Sequence, residues 1–166
     1  AYEISLGLVG SEMCIRDRDS DINHPGWIKG VYPVRQIAET GINEQNLYVV
    51  RLEGRIIGSI ILNHHSEPAY NKALWGIESD YSKIFVIHTL VVHPDFLKAG
   101  VGKKLISFAC ELGKELHMKA IRLDAYENNI PAIKLYEKFG FDYIDTVDLG
   151  LGDYGLHRFR LYEKIL

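Results

Sequence analysis

Residues 84–102 read IFVIHTLVVHPDFLKAGVG, and this stretch decides the fold. Its first nine residues are apolar or β-branched except for His88. Both alternating sets are apolar, with Ile84, Val86, Leu90 and Val92 on one side and Phe85, Ile87, Thr89 and Val91 on the other. That pattern predicts a central strand covered on both faces. His93-Pro94-Asp95 then ends the strand, because Pro94 has no backbone N–H for the ladder. Lys98, Gly100 and Gly102 follow, and a helical period opens at once. Strand, glycine loop and helix are a physical recipe for holding a phosphate. Glycine lets the backbone approach an anion, and the first amides of a helix point at it.

Downstream of the loop, Val101, Leu105, Ala109, Leu112 and Leu116 recur at three- and four-residue steps, with Lys103, Lys104, Ser107, Glu111, Lys114 and Glu115 filling the other side. This is an amphipathic helix with one face for a sheet. Cys110 on it reads as a structural thiol, since no basic cluster lies beside it in sequence. Residues 119–126 alternate as a strand, with Ile121, Leu123 and Ala125 on one face. Asn128-Asn129-Ile130-Pro131 has the form of a helix start, a capping Asn followed by Pro in the first turn. Ala132, Ile133, Leu135, Tyr136 and Phe139 mark that helix's buried side. Gly140 is the expected left-handed residue at its end, and Phe141 is placed to fold back on the last turn. Residues 143–165 read as two strands around a loop at 150–155.

Upstream, LYVVRL and IIGSIIL are β-branched runs joined by Glu53-Gly54-Arg55, a hairpin over 47–62. Residues 34–40 form a short helix candidate ended by Gly41. Residues 63–82 are a long polar insertion containing Trp75, Glu78, Asp80 and Tyr81, and long loops in compact domains often carry function. HPGWIKGVYP supplies Trp27 and Tyr32, which either cap the core or line a substrate mouth. The first eighteen residues, AYEISLGLVGSEMCIRDR, hold no sustained period. SEMCIRDR resembles translated sequencing-adapter DNA, so 1–18 is read as a doubtful, non-native segment, with an ordinary variable N-terminus as the alternative. A poorly packed end is expected in both cases. The order is therefore β-β, β-α, β-α, β-β. It implies an α/β chain (α+β by some schemes) with a mixed, mostly antiparallel sheet, central parallel β-α-β crossovers and helices on both faces.

The bulk properties narrow the function classes. The chain has 166 residues, enough for one domain with a real core, here assigned to 19–166. The net charge of −3 gives no sign of a nucleic-acid or membrane-surface binder. Two cysteines, Cys14 and Cys110, make neither a disulfide framework nor a metal cluster. They fit a reducing compartment, and a cytoplasmic location with no metal is expected. No apolar run approaches the length of a membrane span, and no signal peptide is read.

The combination LVVHPDFLKAGVGKKLI, followed about two dozen residues later by ENNIPAIKLYEKFGF, resembles the GNAT superfamily of acetyl-CoA-dependent N-acetyltransferases. The likeness covers roughly 47–166 and implies the GNAT-like acyl-CoA N-acyltransferase fold. The family loop is Gln/Arg-x-x-Gly-x-Gly/Ala. Gly100 and Gly102 match it, and Leu97 departs from its first position. The resemblance implies that Lys98, Ala99, Gly100, Val101, Gly102 and Lys103 cradle the CoA pyrophosphate through backbone amides, as the helix dipole also favours. It implies that Leu90, Val91 and Val92 pair with the pantetheine arm like an added strand. Asn129 falls at the family's Asn contact to that arm, with a helix cap as its other role. Tyr136 falls on the family's general-acid tyrosine, which protonates the departing thiolate; a core residue with a satisfied hydroxyl is the alternative.

The base is open among Glu78, His88, a water chain and, more weakly, Asp124. Each has a plainer reading, Glu78 as a solvated carboxylate and His88 as a bonded core histidine. The implied activity is acetyl transfer to a primary amine, whether small molecule, amino acid or peptide, by direct attack in a ternary complex. A non-catalytic acyl-CoA sensor or partner module is the alternative. A homodimer through the terminal strands is compatible with the family.

Overall fold

The computed structural model describes residues 3–6 and 34–166. Cys14, Trp27, Tyr32 and the adapter-like segment lie outside the described residues. The strands are β1 (Glu3–Leu6), β2 (Leu47–Leu52), β3 (Arg55–Asn63), β4 (Ile84–Val92), β5 (Ala120–Tyr126), β6 (Asp142–Val147) and β7 (Phe159–Ile165). The helices are α1 (Arg35–Asn43), α2 (Val101–Glu115) and α3 (Ile130–Lys138). The described residues divide into two compact units, one comprising 3–6, 34–62 and 88–109, the other 63–87 and 110–166.

In the first unit β1, β2, β3 and the last residues of β4 are neighbours. β1 pairs antiparallel with β2, Ser5 opposite Val49, so the N-terminal segment supplies a strand that the sequence pattern did not show. Four residues are too few to establish a period, and their partner strand selects them. β2 and β3 form the expected hairpin, turning through Glu53 (φ +51°) and Gly54 (φ +78°). Two successive left-handed residues suit the right-handed twist of the flanking strands. α1 does not stop at Gly41 but continues to Asn43. Gly41 is needed there for close approach, since a Cβ would come within 3.1 Å of Leu47 Cβ. Val49, Val50, Ile57, Ile60, Val101, Leu105 and Ile106 make this unit's core.

In the second unit the order is β4-β5-β7-β6. β4 and β5 are parallel, Ile84 opposite Ala120 through Ile87 opposite Leu123. β7 runs antiparallel to both β5 and β6. It inserts between them, so β5 and β6 share a direction without touching. This is the mixed sheet, with its parallel element at the β4-α2-β5 crossover. Gly140 takes φ +75° as expected, and Phe141 N–H returns to Tyr136 O at 3.1 Å. α2 ends at Glu115, which leaves Leu116 exposed instead of on the buried stripe. His117 at φ +54° makes that stop, its successor Met118 donating to Gly113 O at 2.8 Å. No helix among the described residues is long and apolar enough to cross a membrane.

Candidate active site

The glycine loop of the first unit is built as the sequence pattern requires. β4 gives way to a 3₁₀ turn at Pro94–Phe96, and α2 begins at Val101. Between them Lys98 (φ +66°) and Gly100 (φ +82°) are left-handed. Alternating left-handed residues turn successive amides the same way, which is how a backbone nest for an anion forms. Ala99 N–H is taken by Phe96 O at 3.2 Å and Lys104 N–H by Gly100 O at 3.1 Å. The amides of Lys98, Gly100, Val101, Gly102 and Lys103 meet no carbonyl among the described residues. Lys98, Ala99 and Lys103 are exposed, as is Leu97 at 56%.

Arg55, which the sequence offers only as a turn residue, braces the start of this loop. Its Nη2 donates to His93 Nε2 at 3.0 Å and reaches Asp95 Oδ2 at 3.4 Å. Its guanidinium also lies 5.8 Å from the centre of the Phe96 ring. His93 itself is buried, and its N–H donates to Ile57 O at 2.9 Å.

β4 is not the uniformly covered strand that alternation implies. Residues 84–87 are buried, whereas His88, Thr89, Leu90 and Val92 are half-buried and Val91 is buried. The change coincides with Thr89, whose φ is +45°. A β-branched residue rarely accepts that conformation, so the strand is kinked there under strain. The parallel ladder ends two residues earlier, at Ile87.

In the second unit Tyr136 sits on α3 with its ring packed 5.9 Å from Phe141 and 6.4 Å from Tyr162. Burial pushes its phenol well above the ordinary range, and the negative charge of Asp124 adds to the shift. Asn129 caps α3, its Oδ1 accepting from Ala132 N–H at 3.4 Å. Cys110 is a buried thiol whose pKa is raised chiefly by desolvation.

The 63–83 insertion folds back on strands of its own unit. Tyr70 forms a buried cluster with Val86 and Leu161, bordered by Trp75, Tyr81, Ile144 and Val147. The Tyr70 hydroxyl donates to Asp124 Oδ2 at 2.8 Å. Arg122 donates from Nε to Glu163 Oε1 at 2.9 Å and from Nη2 to Ile77 O at 2.7 Å. Its guanidinium lies 4.3 Å from the Trp75 ring and 5.2 Å from the Tyr81 ring. Glu78, next in the chain to Ile77, is exposed.

A comparison with protein families matches residues 15–141 to the acetyltransferase (GNAT) family. The chain belongs to that family. It is 37% identical over 75 residues to UPF0157 protein YqkA of Bacillus subtilis, an alignment covering 45% of this chain and 21% of that protein. It is 25% identical over 105 residues to the uncharacterized N-acetyltransferase MJ1207 of Methanocaldococcus jannaschii, covering 63% of this chain and 42% of that one. The chain thus spans less than half the length of these relatives. Among solved structures, a GNAT-family acetyltransferase of Streptococcus agalactiae superposes with a TM-score of 0.80 at 17% identity, over 99% of this chain and 95% of that one. An acetyltransferase of Bacillus anthracis in complex with acetyl coenzyme A gives 0.57 at 25% identity, over 72% of this chain and 61% of that one. The fold is that of the GNAT acetyltransferases.

Proposed function

We propose that the chain moves the acetyl group of acetyl-CoA to a primary amine, by direct attack within a ternary complex. The observation that carries this reading is the run of loop amides at Lys98, Gly100, Val101, Gly102 and Lys103 that meet no carbonyl among the described residues. Such a run fits a diphosphate, which needs several convergent donors and gains from the N-terminal end of α2. Leu97 in place of a polar family residue leaves this binding to the backbone.

When bound, acetyl-CoA supplies a thioester carbonyl open to nucleophilic attack. The chain's own groups do the rest. Leu90, Val91 and Val92, past the kink at Thr89, offer strand edges to the amide-bearing pantetheine arm. Asn129 adds a side-chain contact to that arm beyond its cap. Tyr136 holds its proton at neutral pH and donates it to the departing sulfur, which is the state a general acid needs. An alkyl ammonium must first lose a proton, since its pKa is about 10.4 as in lysine. Glu78, His88, a water chain and, more weakly, Asp124 are the candidate acceptors of that proton.

Calorimetry with acetyl-CoA, followed by thiol release on a panel of amines, tests the reading. Saturable binding and amine-dependent release of CoA are expected. Absence of binding overturns the reading, and binding without release on any amine replaces it with the acyl-CoA sensor.

A further inference from the structure

We infer that Arg55 and His93 are positioning residues for acetyl-CoA, the guanidinium acting through the imidazole to set the turn that aims the amides of residues 98–103. This rests on the reading of that loop as the diphosphate site, and it adds two residues that act on the site without touching the ligand.

Arg55 opens β3 and His93 follows β4, so the two meet where neighbouring strands of the first unit end. The His93 backbone leads directly into the loop. Its carbonyl accepts from Phe96 N–H at 2.8 Å, and Phe96 O accepts in turn from Ala99 N–H at 3.2 Å. Ala99 lies between the two left-handed residues, Lys98 and Gly100. Two hydrogen bonds therefore relay the placement of His93 to the centre of the nest. The His93 and Phe96 rings also meet edge to face, 5.7 Å apart.

A guanidinium has donors only, so His93 Nε2, 3.0 Å from Arg55 Nη2, is an acceptor. An imidazole with a single N–H then carries it on Nδ1. That atom lies 3.2 Å from the Asp95 amide nitrogen and 3.7 Å from Asp95 Oδ2. It cannot accept from the amide while Nε2 accepts from Arg55, so one of these contacts gives way. The contact with Arg55 is the shorter and is charge-assisted, and it prevails. Nδ1–H then faces the Asp95 carboxylate, which Arg55 Nη2 also approaches at 3.4 Å. The Arg55–Asp95 pair is more than half exposed on both sides and contributes little by itself. The bond to the ring weighs more, because His93 is buried and without Arg55 its Nε2 acceptor loses its donor.

Calorimetry with acetyl-CoA reads the Kd, and initial rates on an amine that the parent acetylates read kcat. Arg55→Met is expected to weaken acetyl-CoA binding by about tenfold, the effect of one charge-assisted hydrogen bond to a buried acceptor. At saturating acetyl-CoA its kcat is expected to stay within about twofold of the parent. Arg51→Met removes an arginine and a bond to Gly54 O from the same hairpin, and is expected to keep the parental Kd. Two substitutions of His93 then separate its ring nitrogens while leaving the Arg55 charge in place. His93→Gln puts an amide near Nε2, keeps an acceptor for Arg55, and is expected to bind within about threefold of the parent. His93→Asn puts its amide near Nδ1, keeps an acceptor for Asp95 N–H alone, and is expected to bind as weakly as Arg55→Met. A parental Kd in Arg55→Met, an equal loss in Arg51→Met, or a fall in kcat at parental Kd overturns the inference. So does tighter binding in His93→Asn than in His93→Gln, which would leave His93 a cap for the turn. If the His93 variants fail to fold, the comparison of Arg55→Met with Arg51→Met decides. A parent that does not bind acetyl-CoA defeats the reading of the loop and this inference with it. A parent that binds acetyl-CoA and acetylates no amine defeats acetyl transfer only, and the Kd comparison still decides the roles of Arg55 and His93.

Discussion

Arg122 and Glu163 face each other across β5 and β7, joined at 2.9 Å, with side chains only 3% and 2% exposed. Two buried charges are costly unless each is fully matched. Here Arg122 also serves Ile77 O and lies against Trp75, and Gly76 lets the backbone approach Glu163, whose Oε2 would be 2.8 Å from a Cβ there. The pair therefore pins the 74–78 segment onto the sheet of its unit. Arg122→Met strands a buried carboxylate and frees Ile77 O. A loss of about 3–5 kcal/mol in denaturant unfolding is expected, together with faster proteolysis near Trp75. A change under about 1 kcal/mol would show that water already screens the pair.

Gly58 is a second point of close approach, in the other unit. A Cβ there would lie 2.6 Å from Val101 Cγ1, 3.3 Å from Leu105 Cδ1 and 3.2 Å from Val91 O. These are the first turn of α2 and the end of β4, so strain would fall on the proposed pyrophosphate loop. Gly58→Ala is expected to cost about 1–3 kcal/mol by overpacking and to weaken acetyl-CoA binding. Gly54→Ala is the control. Its φ of +78° brings backbone strain but its Cβ meets nothing within 4 Å, so stability falls while acetyl-CoA affinity holds.

Much of this arrangement is legible from local signals. The apolar run of β4, the glycines before α2 and the Asn-Pro start of α3 each write their own structure. What stays hidden depends on distant partners. Arg122 and Asp124 alternate with apolar residues on β5; the insertion covers that face, and only three-dimensional contact shows it. Tyr70 looks like one more loop aromatic until Asp124 lies 2.8 Å away. Thr89 carries no sequence sign of its left-handed φ, because nothing about threonine favours one. Gly41 reads as a helix stop on propensity, but packing against Leu47 keeps it inside α1.

The buried Tyr136 phenol links its proposed acid role to alkaline stability. Burial first, and Asp124 second, raise its phenol above the ordinary 10.0 in the folded state. Tyr70 shifts the same way for the same leading cause. The folded protein thus holds these protons more tightly than the unfolded chain does. Their contribution is complete below about pH 10 and is lost as pH rises beyond the unfolded phenol value. Thermal melts should show a falling Tm above that pH, with a shallower fall in Tyr136→Phe. The same variant should lower kcat by about 100-fold while acetyl-CoA affinity stays unchanged. Retention of parental kcat would remove Tyr136 from the chemistry and leave it a core ring.

Asn129 carries two roles that one substitution series separates. Its Oδ1 caps α3 through Ala132 N–H, a bond of 3.4 Å. Asn129→Ala removes the cap and should cost about 1 kcal/mol. Asn129→Ser keeps a capping oxygen, so stability should return to within a few tenths of a kcal/mol of the parent. The shorter serine cannot also reach out as an amide does. If Asn129 touches the pantetheine arm, the Ser variant melts like the parent yet binds acetyl-CoA several-fold more weakly, because the amide's donor is gone. Parental affinity in the Ser variant would confine Asn129 to its cap, and the arm would then be held by backbone at Leu90, Val91 and Val92 alone.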